Sequence, residues 1–219
     1  MSIRLPIVEK ILSANDQIAR VNYDILNQHR IFSINIMASP GAGKTSLILK
    51  TIQALSSDIK IGVIEGDTAP VTIDSDKIIA AGMPAVQINT GGECHLDAVM
   101  VNNGINQLPL DEINLLIIEN VGNLVCPAAF ALGTHANVLI ASVPEGDDKP
   151  YKYPNIYRNL NALVLNKIDL LPYIPFNPEY FFQGVRILNP DIITFQISCQ
   201  KNVGIKSWTE WLLSQIPKK

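Results

Sequence analysis

The run Ala38-Ser39-Pro40-Gly41-Ala42-Gly43-Lys44-Thr45 restricts what this chain can fold into more than any other stretch. Before it, Ile31, Ile34, Ile36 and Met37 form a short apolar, β-branched run expected to be a buried parallel strand. After it, Ser46 to Leu55 carries apolar residues at helical spacing. Strand, Gly-rich turn and helix together make a phosphate-binding loop. Small residues at Gly41, Ala42 and Gly43 let the backbone N–H groups close on phosphate oxygens at the N-terminus of the helix that Ser46 opens. Lys44 is placed to reach the β- and γ-phosphates, and the Thr45 hydroxyl to bind Mg²⁺. One position departs from the pattern: Ala38 stands where the loop usually opens with glycine.

At 219 residues the chain suits one domain with a proper core. The net charge of −3 gives no electrostatic footprint for nucleic acid, and no run of Lys and Arg marks a membrane surface. No apolar stretch approaches the roughly 18 residues a spanning helix needs. Arg4, Glu9, Lys10 and Asp16 break up any signal-peptide core, so a cytoplasmic location is expected. Three cysteines, an odd number, argue against a disulfide framework and fit a reducing compartment, as core thiols or as metal ligands.

Residues 5 to 28 read as one amphipathic helix, with Ile11, Ala14, Ile18, Val21 and Ile25 as its apolar stripe. It divides the chain into a helix over 1–30 that packs on the outside of the sheet and a nucleotide domain over 31–219. Strands are expected at Ile59–Glu65, Ala85–Ile88, Leu115–Glu119, Val138–Val143, Leu163–Leu165 and Ile192–Ile197. Helices are expected at Asp74–Ala81, from Asp97 towards Asn106, and at Ile205–Ile216. Pro144 to Pro154 reads as a loop, and Tyr173 to Pro178 as the only linker-like stretch. Alternating strands and helices predict an α/β fold, a mostly parallel sheet with helices on both faces.

Asn166-Lys167-Ile168-Asp169 follows a strand about 125 residues after the phosphate loop and resembles the guanine-specificity motif of GTPases. A fixed carboxylate at Asp169 accepts from guanine N1–H and the exocyclic amine, which adenine cannot supply. Asn166 lies near the base, the Lys167 stem lies along its face, and Ser198 sits where such proteins make a further backbone contact. Cys199 beside it reads as a small packed thiol. Nearer the phosphates, Asp67 and Glu119 end strands and are candidates to hold Mg²⁺ directly or through water, with Asp74 a less secure third. Gly122 could turn its N–H towards a γ-phosphate. No arginine is placed as a finger, so slow intrinsic hydrolysis is expected.

Cys94-His95 and Cys126 form a second constellation. Two thiols and an imidazole suit Zn²⁺, Ni²⁺ or Cu⁺, and three ligands leave a coordination position open. A second copy of the chain could complete the site on a two-fold axis. Lone cysteines in an apolar chain are commonly core thiols. Here both loops follow strands, which puts them on the sheet edge that binds the nucleotide. Cys126 comes seven residues after Glu119, so one loop would carry both a phosphate sensor and a metal ligand.

Gln87 to Ala98 (QINTGGECHLDA) and Glu119 to Ala128 (ENVGNLVCPA), with EGDDKP at 145–150 and NKIDLLP at 166–172, resemble the nickel-incorporation GTPases of hydrogenase maturation, the HypB family, from about Asn27 to Leu212. The resemblance implies a dimerising GTPase of the signal-recognition and metallochaperone class. It implies that Cys94, His95 and Cys126 bind Ni²⁺ or Zn²⁺ at the subunit interface. It also implies that nickel passes to a [NiFe]-hydrogenase large subunit with the help of a second accessory protein. Met1 to Arg30 holds no cysteine and only His29, so neither the Cys-rich nickel site nor the His-rich storage stretch of some members is expected there. Urease-accessory GTPases use Cys-Pro-His, and the missing proline between Cys94 and His95 sets the chain apart from them. A regulatory G-protein with inert cysteines is the reading from another class.

Overall fold

A computed structural model describes residues 7–68 and 73–217. The strands are β1 (Phe32–Ala38), β2 (Ile61–Asp67), β3 (Ala85–Asn89), β4 (Leu115–Glu119), β5 (Ala136–Ser142), β6 (Ala162–Asn166) and β7 (Ile193–Gln196). All pair in parallel, in the order β3-β2-β4-β1-β5-β6-β7. From β1 the chain runs to β2 and out to β3, returns to insert β4 between β2 and β1, then crosses to β5 and moves out to β7. The crevice at the carboxyl end of β1 is therefore a topological switch point, where open parallel sheets bind ligands. The phosphate loop follows β1 directly.

Every residue of β1, β4 and β6 is buried, because helices cover both faces. Period-two alternation sorts the strands' side chains. Ile34, Ile36, Leu115, Ile117 and Val138 face α2 (Lys44–Leu55) and α8 (Ile205–Gln215), packing with Leu47, Ile48, Ile52, Trp208 and Leu212. The Trp208 Nε1–H donates to Thr51 Oγ1 at 2.9 Å, which satisfies the one polar atom of a fully buried indole. On the opposite face, Ile64, Leu116 and Ile118 pack with Leu26 of α1 (Ile7–Gln28) and with Val101 and Ile105 of α4 (Ala98–Ile105). Beyond β1 that face is covered by α6 (Pro154–Arg158) and α7 (Pro178–Leu188), through Ile156, Tyr157, Phe181 and Val185. No helix of the described residues is long and apolar enough to cross a membrane.

Three elements differ from the sequence expectation. The stretch from Pro144 to Pro154 is not all loop: it contains α5 (Lys149–Lys152) and the start of α6. α7 begins where the linker-like stretch ends. Asn177 caps it by accepting from Tyr180 N–H at 3.1 Å, and Pro178 stands at its first position, a start signal that was present in the sequence. The third difference is the inner face of α1. Val21, expected in the apolar stripe, is 47% exposed, and Ala14 is exposed too, while Asn15, Ala19, Asn22 and Leu26 turn inward. The short α3 (Ile73–Ala80) holds Asp74, whose side chain lies outside the described residues.

Candidate nucleotide and metal site

Along the carboxyl edge runs a cleft of about 650 Å³, whose walls include Gly41, Gly43, Lys44, Thr45, Ser46, Asp67, Glu119 and Gly122. Gly43 has φ +105 and heads α2, and a Cβ there would overlap the Asn166 amide, so only glycine fits. Ala42 is fully buried. Its carbonyl accepts from Asn166 Nδ2 at 2.9 Å, and the Gly41 carbonyl accepts from Lys167 Nζ at 2.6 Å. The base motif therefore braces the phosphate loop from outside.

Thr45 Oγ1 donates to Glu119 Oε1 at 3.0 Å, so the two oxygens expected to share Mg²⁺ are already neighbours. Asp67 lines the same cleft at the end of β2, with Oδ1 accepting from Thr68 N–H at 2.6 Å. The structure adds a residue that sequence reasoning passed over. Glu65, also buried and in the cleft wall, is the register partner of Glu119 on the neighbouring strand. The signal was there: Glu65 and Asp67 are two apart on one strand and therefore share a face. Two buried carboxylates side by side need positive charge close at hand. A hydroxyl and hard carboxylate oxygens are the donor set Mg²⁺ takes, so these residues fit it.

At the other end, Asn166, Lys167, Asp169, Cys199, Gln200 and Lys201 line a pocket that Gly43 and Ser46 connect to the phosphate loop. Lys167 has φ +60, a left-handed turn that carries its side chain back over Gly41. Ser198 departs from expectation. Its N–H donates to the Val203 carbonyl at 3.1 Å, so it does not face the pocket; instead its hydroxyl donates to Asp169 Oδ1 at 2.5 Å and orients that carboxylate. Cys199 forms part of the wall. Its thiol is buried, and burial pushes its pKa up to about 11, which fits a packed rather than a reactive sulfur.

The Cys/His constellation comes together as well. Ligand atoms of Cys94, His95 and Cys126 all lie within 4.8 Å of one another, and among the described residues no other such group of three forms. Contrary to the expectation of free thiols, the Cys94 and Cys126 sulfurs are joined, across Cα atoms 6.3 Å apart. Sulfurs that two loops direct at a single point are within reach of each other as well as of an ion, and reduction returns both as ligands. Asn123 Nδ2 donates to the Cys126 sulfur at 3.5 Å, and the His95 ring lies on Phe130 with centroids 3.9 Å apart. Cys94 also lines the phosphate cleft, so the two sites share a wall.

The CobW/HypB/UreG nucleotide-binding domain family matches residues 32–192. The Escherichia coli hydrogenase maturation factor HypB is 42% identical over 205 residues, covering 94% of this chain and 70% of that protein. The chain belongs to the HypB family of hydrogenase maturation factors. The crystal structure of Archaeoglobus fulgidus HypB superposes with a TM-score of 0.87 at 34% identity, covering 93% of this chain and 98% of that one. Helicobacter pylori HypB, crystallised in complex with nickel, gives 0.87 at 32% identity over 94% and 99% of the two chains.

Proposed function

We propose that this HypB-family chain is a GTP-hydrolysing nickel metallochaperone that supplies Ni²⁺ during [NiFe]-hydrogenase maturation. In this reading its nucleotide state is coupled to the Cys94/His95/Cys126 centre at a homodimer interface. The carrying observation is that Cys94 lines the same cleft as Lys44, Thr45 and Glu119, so cargo ligand and phosphate machinery are walls of one cavity. The nickel-bound relative supports the choice of cargo, and two thiolates with an imidazole suit Ni²⁺ or Zn²⁺. Three ligands leave room for a fourth from solvent or from a second copy.

In the hydrolytic half, Lys44 and the loop N–H groups hold the phosphates, while Thr45, Asp67 and Glu119 hold Mg²⁺, which neutralises charge on the phosphate oxygens when bound. Gly122 packs against Pro40, where its N–H can meet a γ-phosphate. Asp169, held by Ser198, selects guanine. Among the described residues no arginine lines the cleft, so catalysis rests on positioning, and intrinsic turnover is slow.

Coupling has a short route. Asn120, directly after Glu119 and fully buried, accepts from Leu96 N–H at 3.0 Å and Val121 N–H at 2.9 Å. Thr90 N–H donates to the Asp67 carbonyl at 2.9 Å. The Cys94-His95 loop is thus tied to the ends of both carboxylate-bearing strands, and a shift at either strand end moves it. Nickel titration of reduced protein, with GDP and with a non-hydrolysable GTP analogue, tests the reading. Affinity or stoichiometry should differ between nucleotides and the thiolate-to-nickel absorbance should vanish in Cys126→Ala; no thiolate-dependent nickel in either state would leave a GTPase with inert cysteines.

A further inference from the structure

The inward face of α1 carries two asparagines where a helix packed on a core would ordinarily present apolar residues. Asn22 is 0% exposed and Asn15 is 6% exposed. A buried amide is costly unless all its hydrogen-bonding groups are met, so its partners indicate what it is there to hold. Asn15 Oδ1 accepts from Ala98 N–H at 2.9 Å, and its Nδ2 donates to the Ala131 carbonyl at 2.8 Å. Asn22 Nδ2 donates to the carbonyls of Ala98 at 2.8 Å and Leu132 at 3.0 Å, and its Oδ1 accepts from Asn102 Nδ2 at 2.8 Å.

These partners are not scattered. Ala98 opens α4, three residues after His95, and its N–H is one of the orphan donors of a helix start. Ala131 and Leu132 belong to the loop that begins at Cys126, and Phe130, on which the His95 ring lies, immediately precedes them. The loop sits against α1 with no spare room: Gly133 has φ +85, and a Cβ there would overlap the Ala19 carbonyl. One side chain of α1 therefore holds the limb that carries Cys94 and His95 with one atom and the limb that carries Cys126 with another.

We propose that α1 is a clamp that sets the separation and orientation of the two ligand limbs, with Asn15 as its positioning residue, so that metal affinity depends on how α1 is seated. This rests on the metal-centre reading above. α1 acts on the Cys/His centre through the backbone on either side of it. Outer supports of this kind typically change metal affinity about 10- to 100-fold when removed.

The test compares wild type with Asn15→Leu, which keeps the branched shape and removes both bonds, and Asn15→Ala, which removes both and cannot clash. Trp208→Phe serves as a control that loosens the core on the far face of the sheet. In reduced protein, nickel affinity is read by competition with a chromophoric chelator, the thiolate-to-nickel charge-transfer band by absorbance, and GDP binding with a fluorescent analogue. The clamp predicts nickel binding weakened about 10- to 100-fold and a shifted charge-transfer band in both Asn15 variants, with GDP affinity within about twofold of wild type. Trp208→Phe should lower the melting temperature and leave the nickel band where it was. A folded, GDP-binding Asn15 variant with wild-type nickel affinity and band overturns the clamp and leaves the metal centre standing. A wild-type protein with no thiolate–nickel band overturns the metal centre itself, and the clamp with it.

Discussion

His95 and His135 each lie against an aromatic ring, at opposite edges of the same sheet. His95 follows β3 at the carboxyl edge, its ring tilted against Phe130, with Nδ1 3.8 Å from the Cys94 sulfur and a second cysteine close by. His135 precedes β5 at the amino edge, against Tyr23 and Phe32, and its ring nitrogens face ordinary partners. The Ser33 N–H donates to its Nδ1 at 3.1 Å, which leaves Nε2–H to donate to Asn27 Oδ1 at 3.2 Å. In the proposed reading the same residue type with a similar neighbour serves a cargo ion at one edge; at the other it packs. What separates them is strand direction. Loops leaving parallel strands converge on the crevice beside β1, whereas residues entering strands meet the chain's own backbone.

The largest effect that would sharpen this contrast is at Lys44. Lys44→Ala should reduce GTP hydrolysis by about 10³-fold or more, measured as phosphate release, since the transferring phosphoryl group depends on such positioned charge. Turnover at the wild-type rate would remove the phosphate loop from the mechanism. Next comes the ligand set. Cys126→Ala should weaken nickel binding by more than about 100-fold, beyond what an outer support contributes. The melting temperature of the reduced protein and its GDP affinity should hardly move. Unchanged nickel affinity would make the carboxyl-edge cysteines equivalent to Cys199, a packed thiol. Asp169→Asn is expected to be smaller. It exchanges a charge-assisted acceptor for an amide, so the preference for GTP over ATP should fall about 10- to 100-fold in competition binding. If discrimination persists, the specificity is set by the Cys199–Lys201 wall instead.

The motifs that the structure gathers along the carboxyl edge were legible because each is a set of particular residue types at fixed spacings. Gly43-Lys44-Thr45, Asn166-Lys167-x-Asp169 and Cys94-His95 with Cys126 could be read without any fold, and the parallel α/β sheet followed from strands alternating with helices. What escaped was whatever depends on register between distant segments. Glu65 gains meaning only opposite Glu119, and that pairing is set by how β2 and β4 align. Ser198 was placed near the base, but its antiparallel bridge to Val203 turns its N–H away from the pocket and leaves its hydroxyl for Asp169. The face of α1 was misjudged for a related reason. Periodicity counts apolar residues, while the buried stripe includes Asn15 and Asn22, whose partners lie between 76 and 116 residues away. Paired amides look like surface residues until their partners are known.

The smallest predicted effect comes from the amino edge. Burial holds the His135 pKa below its ordinary 6.5, because the half-buried ring disfavours charge, and Nδ1 is already accepting a backbone N–H. Between that lowered value and 6.5 the unfolded chain binds a proton that the folded chain does not. Stability therefore rises with pH across this window: the contribution is complete above 6.5 and is lost as pH falls through the window. Urea midpoints measured from pH 7.5 downward should fall more steeply for wild type than for His135→Gln, which cannot titrate. The same substitution should leave nickel affinity alone, since His135 enters a strand where His95 leaves one. Parallel stability profiles for the two proteins would mean that the amino-edge ring takes a proton as readily folded as unfolded. A loss of nickel affinity in His135→Gln would mean that the two edges of the sheet are not independent, and that its amino end also helps to set the ligand loops.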